Sequence, residues 1–487
     1  MKILPFINTL VYAINLGIIL SLVFYKRERP EKVLAWFLVL VFLPPVGLFL
    51  YFYMGINWRD TVLNDRFSPT ISDLIHKSLG SFEGPNADMA RMVSNLNASP
   101  MFHHNEITLY KDGIEKFSAL IKDLKNAKHH IHLEYYIIKS DELGRQIFDI
   151  LKEKAESGVK VRVIMDKIGC RKFNKFYKKD LMAAGVEIVT YTATFAFVSS
   201  VIDMSINYRN HRKMIIIDGE IGYTGGNNIG NEYVSKGHMG YWRDTHMRVE
   251  GDFVLGMQGL FFDDFFAVLH RNQASKKWEY IKQSEIYTEE SDLAEYFEPT
   301  QITKKLPMQI CYSGPESAFY SIELMYIKMI TTAKERIFIS TPYFIPSEGT
   351  ASALKAAIKS GVDVQIMFPA QYDHPMVGHA SMTYLAEMVE SGARVFLYDK
   401  TSFTHNKAMI CDGRSFTIGT ANFDVRSFFF NYEVNTLIYD EYYASKMEGL
   451  FQEDLENAEE LTLENYFNRS RTVFLKESFF RIFSLLF

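Results

Sequence analysis

The sequence predicts an α/β protein of two similar halves behind an N-terminal membrane anchor. Three observations carry this: two uncharged apolar stretches at the start, a strand–helix pattern that occurs twice, and a His-x-Lys motif closing each copy. At about 100–200 residues per domain, 487 residues allow two or three units. A composition of 48% hydrophobic and 23% charged residues excludes a disordered chain. A net charge of −5 gives no basic footprint, so nothing global marks a nucleic-acid binder. Three scattered cysteines, Cys170, Cys311 and Cys411, are too few for a disulfide framework or a zinc site.

No charge occurs from Ile3 to Tyr25 or from Val33 to Trp58. Each stretch reaches the roughly 20 apolar residues that span a bilayer. A cleaved signal fits poorly, because no small-residue cleavage site follows and a second apolar stretch comes at once. Residues 1–58 are therefore expected to form a transmembrane hairpin, with a kink or re-entrant turn at Pro44 and Pro45. Lys26, Arg27, Arg29 and Lys32 place the connecting loop in the cytoplasm, whereas Arg59 and Arg66 weigh the other way, so sidedness stays open.

The duplication begins with buried strands at 127–137 and 333–345. In each copy a helix ends at Ser-Gly-Val (157–159, 360–362), a strand follows (161–165, 364–368), and a second helix ends at Gly185 or Gly392 before a third strand. Strands alternating with helices imply a mostly parallel, helix-covered sheet in each half. The expected organisation is a connector at 59–104, a first half at 105–270, a polar linker at 271–306, a second half at 307–458 and an amphipathic tail at 459–487.

The chemistry lies late in each copy. Both share one spacing: His-x-Lys (His211, Lys213; His405, Lys407), four residues, Asp (Asp218; Asp412), six residues, then Gly-x-x-Asn (Asn228; Asn422). A strand alternates faces, so each His and its Lys point the same way. Asp218-Gly219 and Asp412-Gly413 read as hairpin turns, which makes local hydrogen bonding the plainer reading of these two Asp residues beside a catalytic one. An ammonium is no metal ligand but is a good anion donor, and a neutral imidazole can attack phosphorus. Two copies thus supply two His and two Lys around one phosphodiester: one His becomes phosphorylated, while the other protonates the leaving oxygen and then deprotonates the incoming hydroxyl. Asn228 and Asn422 would add neutral donors to the phosphate. Asp244 and Glu433, downstream in the respective copies, are candidates to orient the imidazoles.

With these motifs the chain resembles the phospholipase D superfamily and, more narrowly, is similar to its bacterial cardiolipin synthases. Supporting segments are Arg29-Pro30 with Ala35-Trp36, Tyr241–His246, Thr341–Pro346 and Asn422–Ser427. Thr420 stands where the family often has serine, and it keeps a hydroxyl. The resemblance implies two phospholipase D-like halves packed pseudo-symmetrically around one active site, at a bacterial cell membrane that the chain spans more than once. It implies phosphatidyl transfer between two phosphatidylglycerol molecules to give cardiolipin and glycerol, with no metal or other cofactor and no nucleic-acid partner. His211 is then the nucleophile and His405 the acid/base, although the near-symmetry permits the reverse. Hydrolysis to phosphatidic acid is the alternative that the sequence leaves open, and a phosphodiesterase acting on nucleic acid is a further one, against which the net charge of −5 and the membrane tether count.

Two further features need weighing. His129, His130 and His132 suggest a metal cluster, but the second copy has Glu335, Arg336 and Phe338 there, so surface or cleft-wall histidines are expected. The tail mixes Arg471, Lys476 and Arg481 with Phe474, Phe479, Phe480, Phe483 and Phe487, which suits either a membrane-surface helix or one packed on the protein.

Overall fold

The computed structural model describes residues 3–25, 30–51, 86–191, 208–274, 290–298, 301–315, 317 and 319–484. In the first half the strands are β1 (Phe102–Asp112), β2 (His130–Tyr135), β3 (Lys160–Asp166), β4 (Glu187–Tyr191), β5 (Arg209–Asn210), β6 (Lys213–Ile217), β7 (Ile221–Gly225) and β8 (Trp242–Gly251). They form a sheet in the order 4-3-2-6-7-8-1, parallel across β2, β3 and β4 and antiparallel elsewhere.

The second half contains β9 (Lys305–Ser313), β10 (Arg336–Ser340), β11 (Phe344–Ile345), β12 (Asp363–Pro369), β13 (Arg394–Tyr398), β14 (Phe403–Thr404), β15 (Ala408–Cys411), β16 (Ser415–Gly419), β17 (Phe423–Asp424), β18 (Asn431–Ile438) and β19 (Ala458–Glu460). Its sheet runs 13-12-10-15-16-18-9, the same order strand for strand, with β19 added at the β13 edge. Three pairings tie the halves together: β1 with β9, β5 with β18 and β14 with β8.

Strand alternation builds the layers. On β6, Met214 and Ile216 point into a core between the two sheets, while Ile215 and Ile217 point into an outer core covered by helices. On β15, Ala408 and Ile410 face the shared core, and Met409 and Cys411 face the second outer core. Helices Phe253–Ala274 and Glu441–Leu455 fill the space between the sheets with Phe261, Phe262, Phe265 and Phe451. Glycines at positive φ, such as Gly158 (96°) and Gly392 (111°), stop the outer helices as expected.

The second apolar stretch breaks at Pro44, where a kink was expected, and divides into Pro30–Phe42 and Pro44–Leu50. Pro44 has no N–H to give to the Leu40 carbonyl one turn back, and Asn15 of helix Ile3–Phe24 takes that carbonyl instead, at 2.9 Å. Among the described residues no helix is both long and apolar enough to cross a membrane, the side chains of Ile3–Phe24 being described only from Thr9 onward. Within the linker, Leu293 and Tyr296 are buried in the core between the sheets. Most of the connector lies outside the described residues, but its helix Ala87–Asn97 packs Met89 and Val93 into the second outer core.

Candidate active site

His211 and His405 sit in short breaks before β6 and β15, and each is hung from the opposite half. The His211 N–H donates to Tyr432 O on β18 (2.9 Å), and the His405 N–H donates to Arg243 O on β8 (2.7 Å). The side chains repeat the crossing. His211 Nδ1 lies 2.9 and 3.0 Å from the Glu433 carboxylate oxygens, and His405 Nδ1 lies 2.8 Å from Asp244 Oδ2. A carboxylate at Nδ1 fixes that nitrogen as the N–H donor and leaves Nε2 for chemistry. Lys213 Nζ donates to His211 O (2.8 Å) and Lys407 Nζ to His405 O (2.9 Å), so each ammonium folds back beside its own imidazole. All these groups are buried.

Burial sets the electrostatics. It pulls Lys213 down to about 7 and Lys407 to about 8, because an ammonium out of water is costly. The two motifs also sense each other: Lys407 helps to depress Lys213, and Lys213 and His211 help to depress His405. Such a cluster of nearby cations is completed by an anion. The two carboxylates differ. Glu433 is held below its ordinary range, against its own burial, by His211, Lys213 and Thr420. Burial lifts Asp244 to about 7 in spite of Lys407.

A sequence profile described as the cardiolipin synthase phospholipase D-like domain matches residues 120–238 and again 326–455, spanning both motifs. The chain belongs to this family. A second profile, the phospholipase D-nuclease N-terminal segment, matches residues 13–55. The chain is 38% identical to a cardiolipin synthase of Oceanobacillus iheyensis, over 98% of both chains. It is 37% identical to the major cardiolipin synthase of Bacillus subtilis, over 99% of both. Among solved structures, a phosphatidylserine synthase of Haemophilus influenzae superposes with a TM-score of 0.61 at 16% identity, covering 82% of this chain and 100% of that one, which shows the shared fold.

Within this cardiolipin synthase fold the expected site residues separate into two groups. His211, Lys213, His405, Lys407, Asp244 and Glu433 come together, with the carboxylates exchanged between halves. Asp218 and Asp412 do not join them and instead make the local hairpin-turn hydrogen bonds that were the plainer reading beside a catalytic one. They occupy hairpin turns at the far ends of β6 and β15, with φ of 56° and 55°. The Asp218 carboxylate accepts the backbone N–H groups of Lys128, His129 and His130, and Asp412 accepts those of Lys334, Glu335 and Arg336. Each is a clamp between its turn and the start of the neighbouring strand.

The two Asn residues also part ways. Asn228 accepts the Ile137 N–H (3.2 Å) and donates to the Tyr233 hydroxyl (2.6 Å), which ties it into its loop. The Asn422 side chain makes no hydrogen bond to a described residue and remains a candidate donor. His130 and His132 are fully buried, not surface or cleft-wall groups: Gln258 bridges their rings, and Arg162 lies 3.2 Å from His132. Among the described residues no His, Cys, Asp or Glu grouping could hold a metal ion.

Three contributors escaped the sequence reading. Tyr136 packs its ring against His211 at 4.9 Å, and Trp242 packs against His405 at 5.4 Å. Thr420 donates from its hydroxyl to Glu433 Oε2 at 2.6 Å, whereas at the equivalent Gly226 a Cβ would stand 2.0 Å from Asp244 Oδ1. Thr420 was noted only for its hydroxyl; nothing local in the sequence marks the two aromatic residues.

Proposed function

We propose that this chain is a cardiolipin synthase that moves a phosphatidyl group from one phosphatidylglycerol to another, releasing glycerol. The observation that carries the reading is the pair of crossed imidazole–carboxylate contacts, flanked by two lysines, inside a chain related over its whole length to cardiolipin synthases. In the first step neutral His211 Nε2 bonds to the lipid phosphorus, the bond from phosphorus to the headgroup glycerol oxygen breaks, and His405 gives that oxygen a proton. In the second, the headgroup hydroxyl of another phosphatidylglycerol bonds to phosphorus, the P–N bond breaks, and His405 recovers the proton. Lys213, Lys407 and Asn422 hold the non-bridging oxygens.

The unequal carboxylates support this division of roles. Burial lifts Asp244 to about 7, whereas Glu433 is held below its ordinary range, so the carboxylate beside His405 is the more basic of the two and favours the proton-carrying role there. The setting is the bacterial cell membrane. Helices Ile3–Phe24 and Pro30–Phe42 present Leu16, Leu20, Leu38 and Phe42 outward, as lipid-facing helices would in a multi-pass anchor.

Purified enzyme incubated with phosphatidylglycerol alone, with the lipids identified by mass spectrometry, tests the reading. Cardiolipin and free glycerol in equal amounts are expected; phosphatidic acid as the sole product would refute it.

A further inference from the structure

The lipid substrate lies in a bilayer and carries a phosphate, so the cleft has to be presented to an anionic surface. The chain as a whole has a net charge of −5, and attraction to such a surface must come from a local excess of cations. One segment of the first half supplies it. From Lys167 to Lys179, six of thirteen residues are Lys or Arg and none is Asp or Glu. The same place in the second half, the stretch Ala370–Met382 after β12, has no Lys or Arg and carries Asp373.

The basic segment begins beside His211. At the end of β3 the Asp166 carboxylate accepts the N–H groups of Ile168 and Gly169 (2.8 Å each) and that of Asn210 (3.1 Å), the residue before His211. A Cβ at Gly169 would stand 1.9 Å from Tyr136 O, so the backbone is pressed against the residue whose ring packs on His211. From there the segment turns outward. Phe173 anchors it in the outer core against Phe148, and Asn174 caps helix Lys175–Ala183 by accepting the N–H groups of Phe176 and Tyr177.

This anchoring leaves Arg171, Lys172 and Lys175 exposed, and among the described residues none of the three meets a carboxylate. The acids on the adjoining helices have other partners: Asp180 pairs with Lys152, and Asp149 accepts the Tyr177 hydroxyl. Between these cations the Phe176 ring is 83% exposed. A single apolar ring projecting from a basic surface fits a headgroup layer, where the cations meet phosphates and the ring leaves water.

We propose that the exposed face of residues 167–179 docks on an anionic phospholipid bilayer, with Phe176 entering the headgroup layer, and so turns the His211 side of the cleft toward the lipid phosphates. The inference rests on the phosphatidyl-transfer reading for the identity of that lipid, and adds the face by which the first half meets it. The docked residues bind and take no part in proton or phosphoryl transfer.

The test uses full-length enzyme in vesicles of phosphatidylcholine, alone or mixed in equal parts with phosphatidylglycerol. The native cysteines are buried, so an environment-sensitive fluorophore can be placed at Phe176→Cys. Its emission should shift to the blue only with phosphatidylglycerol present, and the shift should fade in high salt. Combining Arg171→Gln, Lys172→Gln and Lys175→Gln should remove the shift. Each Lys or Arg at such a surface strengthens binding roughly fivefold. The unlabelled triple variant should therefore need at least about fivefold more phosphatidylglycerol for half-maximal cardiolipin formation, with kcat at saturation and Tm unchanged, because the substituted residues are exposed. A label that stays in water, an equal shift in both vesicles, or a wild-type lipid requirement in the triple variant would overturn the docking face. So would a shift that appears with a single-stranded oligonucleotide and not with vesicles. The fluorophore reads docking whatever the product, so phosphatidic acid in place of cardiolipin would refute the transfer reading and leave this face standing.

Discussion

His211 Nδ1 lies 2.9 Å from Glu433 Oε1, a carboxylate 222 positions further along the chain and contributed by the other half. His405 and Asp244 repeat the exchange in the opposite sense, at 2.8 Å. Neither half orients its own imidazole, so the duplication yields one site and not two. Glu433→Gln should lower kcat by roughly 10²–10⁴-fold, the range for losing the acidic partner of a reacting histidine. Circular dichroism should report an intact fold. Adding Glu433→Gln to His211→Ala should cost little more than His211→Ala alone, because the two act as a unit.

Asp218 provides the contrasting case. Its carboxylate accepts three backbone N–H groups, two of them at the exposed residues Lys128 and His129 where water can replace it, so Asp218→Ala loses these bonds at about 1 kcal/mol. A lowered Tm is expected, with kcat of the folded enzyme within a few-fold of wild type. Asn tolerates the same positive φ and can still accept, so Asp218→Asn should recover most of the Tm. A large loss of kcat at unchanged Tm would restore Asp218 to the catalytic set.

Buried lysines give a pH signature. With Lys213 near 7 and Lys407 near 8, the free enzyme loses its anion-binding charge as pH rises through that range. kcat/KM should therefore fall on the alkaline side between about pH 7 and 8. A bound phosphodiester stays anionic and favours the ammonium form, so the alkaline limb of kcat should lie at higher pH. Coincident limbs would show that the lysines do not face the phosphate.

The C-terminal helix Arg471–Ile482 packs on the protein by one face and leaves its other face open to the membrane-surface reading. One stripe docks on helix Pro375–Ser391: Phe480 stacks on His379, Arg481 pairs with Glu387, and buried Glu477 is held by Arg469. The opposite stripe exposes Leu475 (67%), Phe479 (56%) and Ile482 (75%) at helical spacing. The native cysteines are buried, so a spin label at Leu475→Cys reports on this face. In vesicles containing phosphatidylglycerol it should gain accessibility to oxygen and lose it to a polar quencher; a label that stays in water would place this helix off the membrane.

Much of this was legible in the sequence because it is periodic or repeated. Alternation on β6 and β15, the helix-stopping glycines and the matched His-x-Lys spacing are local signals, and the duplication amplified them. The exchange of Asp244 and Glu433 between halves was not legible, since contacts across 161 and 222 positions leave no local trace. Asp218 was ambiguous for the opposite reason: membership of a motif does not distinguish a clamp at the far end of a strand from a group at its reacting end. The break at Pro44 was visible, but the role of Asn15 in taking the freed Leu40 carbonyl depended on helix packing.

Two imidazoles from different halves meet one phosphorus in this mechanism. Rapid quenching during turnover of phosphatidylglycerol, followed by peptide mass spectrometry, examines this directly. A phosphatidyl adduct on the peptide containing His211 is expected in the wild type, absent from His211→Ala, with cardiolipin formation abolished in both His211→Ala and His405→Ala. Cardiolipin made at the wild-type rate by either variant, with no histidine adduct, would contradict it.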